Sequence, residues 1–237
     1  MRVLLFALAC VALPARADAP APVPKPFHAE YLTLRNGSEV GRTTLDLRDN
    51  GDGSWTLRSH TRGTSGLARL AGIDVTETSR LRWRDGRPEA LAYDYRQDSA
   101  LKQRTRHAEF DWNHGQVQVS EGGEDHRYAT VPGLIDRQCV TLALAADLLR
   151  GASHFDYAVA VKDRVEAMRY ERGPLETLHL PAGDYEAQLM RRAGEPGADR
   201  KRVARSWFAP ALGYLPVQIE QTQKKGDTIT LQLLRLD

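Results

Sequence analysis

The clearest structural signal in the sequence is a pair of alternating segments, Leu215-Pro-Val-Gln-Ile-Glu220 and Asp227-Thr-Ile-Thr-Leu-Gln-Leu233. Apolar residues occupy every second position of each segment, which is the pattern of a strand with one buried face. A polar run, Lys224-Lys-Gly-Asp227, joins them as a turn. The segments therefore predict an antiparallel hairpin. Because a lone hairpin is only marginally stable in water, they also predict a larger sheet to which it belongs.

The rest of the chain continues this pattern. Turn residues such as Asn36-Gly37 and Asn113-His-Gly115 recur about every ten residues, the spacing of an antiparallel meander. The predicted strands are 27–34, 40–48, 55–61, 73–83, 89–96, 104–112, 116–120, 126–131, 155–161, 164–171, 175–180, 185–192 and 201–208. Two connections are distinctive. The loop 49–53 predicts a turn rather than a calcium site, because Gly51 and Gly53 stand where oxygen ligands are needed. The Gly-rich segment 63–72 predicts a cap or the lining of a cavity mouth.

The meander is interrupted once, by a segment rich in Leu and Ala. Asp136 is placed as an N-cap and Gly151 as the residue that ends a helix. Apolar residues at helical spacing between them predict one largely buried helix near residues 136–150. The predicted fold is mainly β: an antiparallel meander curled into an open barrel or half-barrel with a lipocalin-like or lipoprotein-carrier-like shape. The buried helix is expected to pack against one face of the sheet or to plug one end of it.

The first residues have the pattern of a targeting segment. Arg2 precedes the apolar run 3–13, and Ala15-Arg-Ala17 forms a cleavage site. We expect residues 1–17 to be a signal peptide, 18–26 a Pro-rich spacer and 27–237 a single β domain that is periplasmic and has no transmembrane segment. A lipid-anchored form through Cys10 is disfavoured, because Ala7 stands where a lipobox normally has Leu.

Cleavage after Ala17 changes the charge and the cysteine content. It removes Arg2 and Arg16, and the 31 basic residues that remain equal the 31 acidic ones. A neutral protein lacks the electrostatic attraction that drives nucleic-acid binding, so no nucleic-acid partner is expected. Cleavage also leaves Cys139 alone among Val140 and Leu142, where a small core residue is the favoured interpretation over a reactive thiol.

Several segments carry a family likeness. They are Phe27-x-Ala-x-Tyr31, the helix from Asp136 to Asp147-Leu-Leu, Leu178-His-Leu-Pro-Ala-Gly-Asp-Tyr-Glu-Ala187 and Trp207-Phe-Ala-Pro-Ala-Leu-Gly-Tyr-Leu-Pro-Val-Gln-Ile219. Together they resemble the bacterial exported proteins grouped as domain of unknown function 3108, over most of residues 27–236. The resemblance implies an envelope protein with an antiparallel β fold and supplies no catalytic residues. The family's D-x-L-S at the helix start reads Asp136-Arg-Gln-Cys139 here, so no role of that Ser is carried over.

Aromatic residues are the candidate ligand site. Consecutive strand residues point to opposite faces, so Trp207 and Phe208 cannot both pack on one side of a sheet. Packing of both within the fold is the first interpretation, and an apolar ligand groove is the alternative. The residues predicted to line such a groove are Trp83, Trp112, Trp207, Phe208 and Tyr214. The preferred hypothesis is a non-enzymatic periplasmic protein that binds a lipid-like or amphiphilic ligand on its concave face.

Two alternatives remain open at this stage. His107, Glu109 and Asp111 alternate onto one face of a strand and are the best candidates for a hydrolase-type site, although Phe110 and Trp112 on the other face predict that this polar face meets solvent. The third hypothesis is a structural or protein-interaction module of the envelope. The basic run Arg80-Leu-Arg-Trp-Arg84 fits a solvated outer face or attraction to anionic groups. The scattered His residues predict no metal site, and no cofactor is expected.

Overall fold

One antiparallel sheet makes up most of the computed structural model, which describes residues 21–100, 102–194, 204–222 and 226–237. The predicted signal segment 1–17 with Cys10 lies outside the described residues, as do Lys201, Lys224 and Lys225. The strands are β1 (Phe27–Arg35), β2 (Ser38–Asp49), β3 (Ser54–Gly63), β4 (Asp74–Arg84), β5 (Arg87–Asp98), β6 (Arg104–Asp111), β7 (Gln116–Glu121), β8 (Glu124–Ala129), β9 (Phe155–Ala160), β10 (Val165–Leu180), β11 (Gly183–Arg192), β12 (Ala204–Ala209), β13 (Leu215–Thr222) and β14 (Thr228–Leu236).

The sheet consists of two meanders joined in its middle. Its strand order runs from β8 back to β1, then from β14 back to β9. Every pairing joins neighbours in the chain except β1 with β14, where Thr33 lies opposite Leu231. The predicted meander and mainly β class are therefore confirmed. Strands β8 and β9 do not pair with each other, so the curled sheet is not closed.

Local turn chemistry explains the hairpins. Asn36 and Gly37 both have positive φ, 51° and 82°, as the tight turn between β1 and β2 requires. The predicted C-terminal hairpin is also present, because Gln218 to Thr222 of β13 pair with Gln232 to Thr228 of β14. Its alternating side chains thus share one face of the sheet.

The prediction of two strands at 164–171 and 175–180 was wrong. A single strand, β10, takes their place, and its residues Tyr170 to Leu180 pair with β11. The Gly173-Pro174 pair does not end the strand but shifts its register between Arg172 and Leu175. Proline lacks an amide hydrogen, and a bulge is a place where a strand tolerates that loss.

The predicted buried helix is present as α2 (Cys139–Leu149). It begins later than the N-cap prediction implied, yet Asp136 still satisfies its first amides. Its Oδ1 accepts hydrogen bonds from the backbone nitrogens of Gln138 at 2.9 Å and Cys139 at 3.0 Å. Gly151 follows the helix with φ 70°, the left-handed conformation in which helices commonly end. Cys139 is fully buried, as the core interpretation predicted.

A second, shorter helix, α1 (Gly66–Leu70), lies within the Gly-rich connection between β3 and β4. None of its residues is buried. The connections β1–β2, β3–β4, β5–β6 and β7–β8 lie at the same end of the curled sheet, which we call the α1 end. The opposite end carries the β2–β3 and β4–β5 turns, and α2 finishes there, because Arg150 donates a hydrogen bond to the carbonyl of Gly86. We call it the α2 end.

Helix α2 fills the concave side of the sheet. Its apolar residues form one cluster with Leu47 and Leu81 of the first meander and Met190 and Phe208 of the second. Because strands of both meanders contact the same helix, α2 lies inside the barrel. Two further clusters extend this core, one centred on Tyr31 and Trp207 and the other on Phe110 and Val117.

The gap between β8 and β9, which we call the seam, is bridged by the segment before α2. Ile135 forms a single parallel bridge with Val159, and the carbonyl of Leu134 accepts a hydrogen bond from the amide of Ala90 at 3.1 Å. The hydroxyl of Tyr128 donates to the carbonyl of Val161 at 2.7 Å. The barrel is thus completed by a loop and by side chains rather than by a strand ladder.

Candidate functional site

Four half-buried aromatic residues surround the α2 end of the barrel. Phe27 begins β1, Trp55 is near the start of β3, Trp83 is near the end of β4 and Tyr214 precedes β13. All four pack against the cluster that contains α2. We call this set the aromatic rim. It includes two of the five predicted site residues, Trp83 and Tyr214.

The indole nitrogen of Trp83 is a hydrogen-bond donor without an acceptor among the described residues. Its ring stands edge-on to that of Trp55, with 6.1 Å between ring centroids and 81° between planes. Its Nε1 is buried and has no hydrogen-bond partner in the described part of the chain. A buried donor without an acceptor costs about 1–3 kcal/mol, so this position favours any group that brings an acceptor to it.

The segment before β1 lies across this end. Pro24 is buried, and Ala21 is so near the β4–β5 turn that a Cβ added to Gly86 would come within 2.6 Å of the Ala21 Cβ. The described part of the predicted Pro-rich spacer, residues 21–26, therefore passes beside the β4–β5 turn at this end of the barrel.

The remaining three predicted site residues are held by the fold itself. Trp112 donates its indole hydrogen to the carbonyl of Ala90 at 2.7 Å. Trp207 and Phe208 are 5% and 0% exposed, and they belong to different core clusters, as their opposite directions required. Trp207 also donates to Glu176 Oε2 at 2.7 Å. Packing within the fold thus accounts for both residues of this pair.

A polar cluster lies beside α2 in the interior, and only one of its members, Asp136, was singled out from the sequence, as an N-cap. Ser79 donates from its hydroxyl to Asp136 Oδ1 at 2.8 Å, and the Cys139 thiol donates to Oδ2 at 3.2 Å. Burial raises the pKa of Asp136. The Tyr93 hydroxyl donates to Glu77 at 2.9 Å, and burial likewise raises the pKa of Glu77. The free space next to Asp136, Arg106 and Tyr93 is only about 10 Å³, too little for a ligand.

The predicted hydrolase residues lie on the outer face, opposite α2. His107 donates from Nδ1 to Asp94 at 2.7 Å, and this hydrogen bond raises its pKa. The side chains of His107 and Glu109 are 48% and 70% exposed. Asp111 accepts hydrogen bonds from the backbone of Asn113 and His114 and so shapes the next turn. These residues face solvent, as their alternation with Phe110 and Trp112 predicted, and they form no desolvated catalytic arrangement.

A shallow polar groove of about 490 Å³ crosses this outer face over β4 to β7. Its lining includes the hydroxyls of Thr78, Thr105 and Ser120 together with Asp94 and His107. Ser120 lies directly opposite His107 in the β6–β7 ladder, but its hydroxyl donates to Asp125 at 2.6 Å. The groove therefore has polar groups without an arranged nucleophile and base.

No group of three or more potential metal-ligating side chains comes together in the described ranges. Among the same residues, no helix has both the length and the apolar character needed to cross a bilayer.

Comparisons with known proteins agree with this architecture. A family model described as "Protein of unknown function (DUF3108)" matches residues 27–233. A search of curated proteins gave no match. Among solved structures, the chain is similar to a β-barrel-like protein of domain of unknown function DUF1849 from Brucella abortus, with a TM-score of 0.55 and 12% identity over 91% of this chain and 98% of that one. At this identity the likeness concerns the fold alone.

Proposed function

The chain belongs to the DUF3108 family of proteins of unknown function, and we propose that it is a non-enzymatic envelope protein that binds an amphiphilic ligand at its aromatic rim. The single observation that carries this proposal is the unmet indole donor of Trp83. A ligand group with an acceptor oxygen, such as an ester or a hydroxyl, satisfies that donor. The neighbouring rings of the aromatic rim suit the apolar part of the same molecule.

The rim differs from the site that the sequence predicted. That hypothesis placed the ligand on the concave face, but α2 and its cluster already fill this face. Trp207 and Phe208 are buried within the fold and leave no surface for a ligand. The half-buried rings of the aromatic rim leave apolar surface partly exposed at the α2 end, where Ala21 lies beside the β4–β5 turn. We therefore propose binding at this end of the barrel, beside segment 21–26.

The test is to purify the protein without detergent from the envelope of a bacterial host, extract it with chloroform and methanol and identify what is released by mass spectrometry. We expect a stoichiometric amphiphile. Trp83→Phe keeps a ring but removes the donor, and we expect about fivefold weaker binding and correspondingly lower occupancy, since one net hydrogen bond is worth about 1 kcal/mol.

Trp112→Phe is the matched control, because its indole donor is already satisfied by Ala90. This variant should retain the ligand. A wild-type protein that releases no amphiphile contradicts the proposal, and so does equal occupancy in the two variants.

We propose export to the periplasm as the setting of this function. The support is the pattern of residues 1–17, a basic residue, an apolar run and Ala15-Arg-Ala17. Fractionated cells should yield the protein in the periplasmic fraction, with Asp18 as its first residue by intact-mass measurement. A cytoplasmic protein that retains residues 2–17 would contradict export.

A further inference from the structure

The most anomalous surface of the described residues is at the α1 end, opposite the aromatic rim. Leu67 and Leu70 of α1 are 83% and 78% exposed, more than any other large apolar side chain in the described ranges. They stand three residues apart, so they project on the same side of the helix. Two neighbouring leucines in solvent leave a substantial apolar surface uncovered.

This exposure is built into the backbone. The amide of Gly63 donates to the carbonyl of Ile73 at 2.8 Å, which closes the base of the connection. The amide of Thr64 donates to the carbonyl of Val40 at 3.0 Å, and the Ser65 hydroxyl donates to the carbonyl of Glu39 at 2.6 Å. These bonds fix α1 to the β1–β2 hairpin. The fold therefore holds both leucines away from its own core.

The charges around α1 indicate the kind of partner. Arg69, between the two leucines, and Lys102, in the neighbouring β5–β6 connection, are exposed and have no ion pair within the described part of the chain. The amide of Ala100 donates to the carbonyl of Ala71 at 2.8 Å, which brings that connection beside α1. Other cations at this end are neutralised, for example Arg42 by Glu39 and Arg62 by Asp74. The exposed leucines of α1 thus lie next to positive charges that no described residue neutralises.

We propose that α1 docks the protein on an anionic phospholipid surface. Leu67 and Leu70 enter the boundary between head groups and acyl chains, and Arg69 and Lys102 meet the phosphates. Exposed leucine side chains with adjacent cations favour the membrane interface over water, because the leucines leave water and the cations meet anionic head groups. Docking at the α1 end leaves the aromatic rim at the opposite end of the barrel free, so this inference is independent of the proposed ligand.

The experiment is vesicle flotation of the exported protein, with its N-terminus verified by mass spectrometry. Phosphatidylcholine vesicles are compared with vesicles that also contain phosphatidylglycerol. We expect binding to the anionic vesicles that weakens with added salt, because screening reduces the attraction of Arg69 and Lys102. Leu67→Asp with Leu70→Asp should reduce the partition coefficient at least tenfold, since two apolar side chains that enter the interface are replaced by anions that the head-group phosphates repel.

Matched variants distinguish docking by α1 from non-specific adsorption of the protein to vesicles. Leu175 and Leu236 are 53% and 37% exposed on strands away from α1, and their double change to Asp should leave binding unaltered. Arg69→Glu should reduce the preference for anionic vesicles. Unchanged melting temperatures verify that the variants fold, as expected for exposed positions.

Three outcomes would overturn the proposal. The wild-type protein could fail to bind either vesicle, the α1 variant could bind as wild type, or the control variant could lose binding equally. Photocrosslinking from position 67 to one protein, without vesicle binding, would identify a protein surface as the partner instead.

Discussion

The hydrogen-bonding state of one indole nitrogen separates Trp83 from Trp112 and Trp207. The latter two donate to Ala90 and Glu176, whereas the buried Nε1 of Trp83 meets no acceptor among the described residues. An unmet donor reduces stability in the absence of a ligand. The three tryptophans therefore carry different free-energy costs although all contribute apolar surface to the core.

Replacement of each tryptophan by phenylalanine should consequently have different effects on stability. Both changes delete the same ring atoms, but Trp83→Phe breaks no hydrogen bond in ligand-free protein. We therefore expect Trp112→Phe to lower the free energy of unfolding by about 0.5–1.5 kcal/mol more than Trp83→Phe does, because the Ala90 carbonyl loses its donor. Urea unfolding followed by circular dichroism measures both. A larger loss for Trp83→Phe would contradict the unmet state of its nitrogen.

Asp136 should make the stability depend on pH. Burial raises its pKa above the ordinary value of 3.8, so the folded state keeps a proton that the unfolded state has already released. Stability from this group is fully present below pH 3.8 and declines as pH rises through the folded pKa, by at most about 1.4 kcal/mol per pH unit. Asp136→Asn should remove this decline while Oδ1 keeps its bonds to Ser79 and the α2 amides.

The measurement is urea unfolding of wild type and Asp136→Asn from pH 4 upward, compared as a difference so that other titrating groups cancel. The variant should gain stability relative to wild type as pH rises. A difference that is independent of pH would show that Asp136 has no raised pKa in the folded protein.

At the scale of elements, two glycines allow α1 to sit against the sheet. Gly41 of β2 pairs with Gly63 of β3. A Cβ on Gly41 would lie 2.1 Å from the carbonyl oxygen of Arg62, and a Cβ on Gly63 would lie 2.5 Å from that of Ala68. Both contacts are with backbone, which cannot rotate away. The placement of α1 therefore depends on the absence of a side chain at Gly63, and the pairing of β2 with β3 beside it depends on the absence of one at Gly41.

Gly63→Ala should displace α1 and lower stability by about 1–3 kcal/mol, the usual cost of overpacking. Gly41→Ala should cost at least as much. Gly194→Ala is the control, since nothing lies within 4 Å of its added Cβ and its φ is not in the left-handed region. Thermal unfolding compares the three variants, and a Gly63→Ala protein as stable as the control would contradict the close approach.

The sequence predicted elements well where the deciding interactions are local. Asn36-Gly37 specifies its own turn, and Asp136 reaches its helix amides within three residues. The error at Gly173-Pro174 has the same origin, because by local rules this pair ends a strand, whereas pairing with β11 carries β10 through it. The missing acceptor at Trp83 and the exposure of Leu67 are decided by which distant segments pack against these residues. Neither property can be predicted from the alternation or spacing of residues along the chain.

On the scale of the whole molecule, the seam between β8 and β9 is the weakest closure of the barrel. Among the described residues it depends on the bridge of Ile135 with Val159, the hydrogen bond from Ala90 to the Leu134 carbonyl, the Tyr128 hydroxyl, and an ion pair between Lys162 and Glu124. A backbone ladder would supply many more bonds than these. Opening of the seam should therefore need less free energy than separation of any paired strands in the sheet.

Tyr128→Phe tests this property. We expect faster hydrogen exchange of the amides in β8 and β9, because the bond to Val161 is lost, with exchange in β1 and β14 unchanged. Tyr185→Phe is the control, since its longer hydroxyl bond of 3.3 Å to Ala182 lies away from the seam. Exchange measured by mass spectrometry reports both. Uniform acceleration along all strands would indicate global destabilisation instead.

The pairing of β1 with β14 has a consequence for how the chain is made. The first strand meets its second neighbour only when residues 228–236 are available, so β1 keeps an unpaired edge while all the residues between the two strands are being made. Such late, long-range pairing slows folding. Until that pairing forms, the open edge of β1 is available to strands of other chains, so the incompletely folded protein needs protection from aggregation.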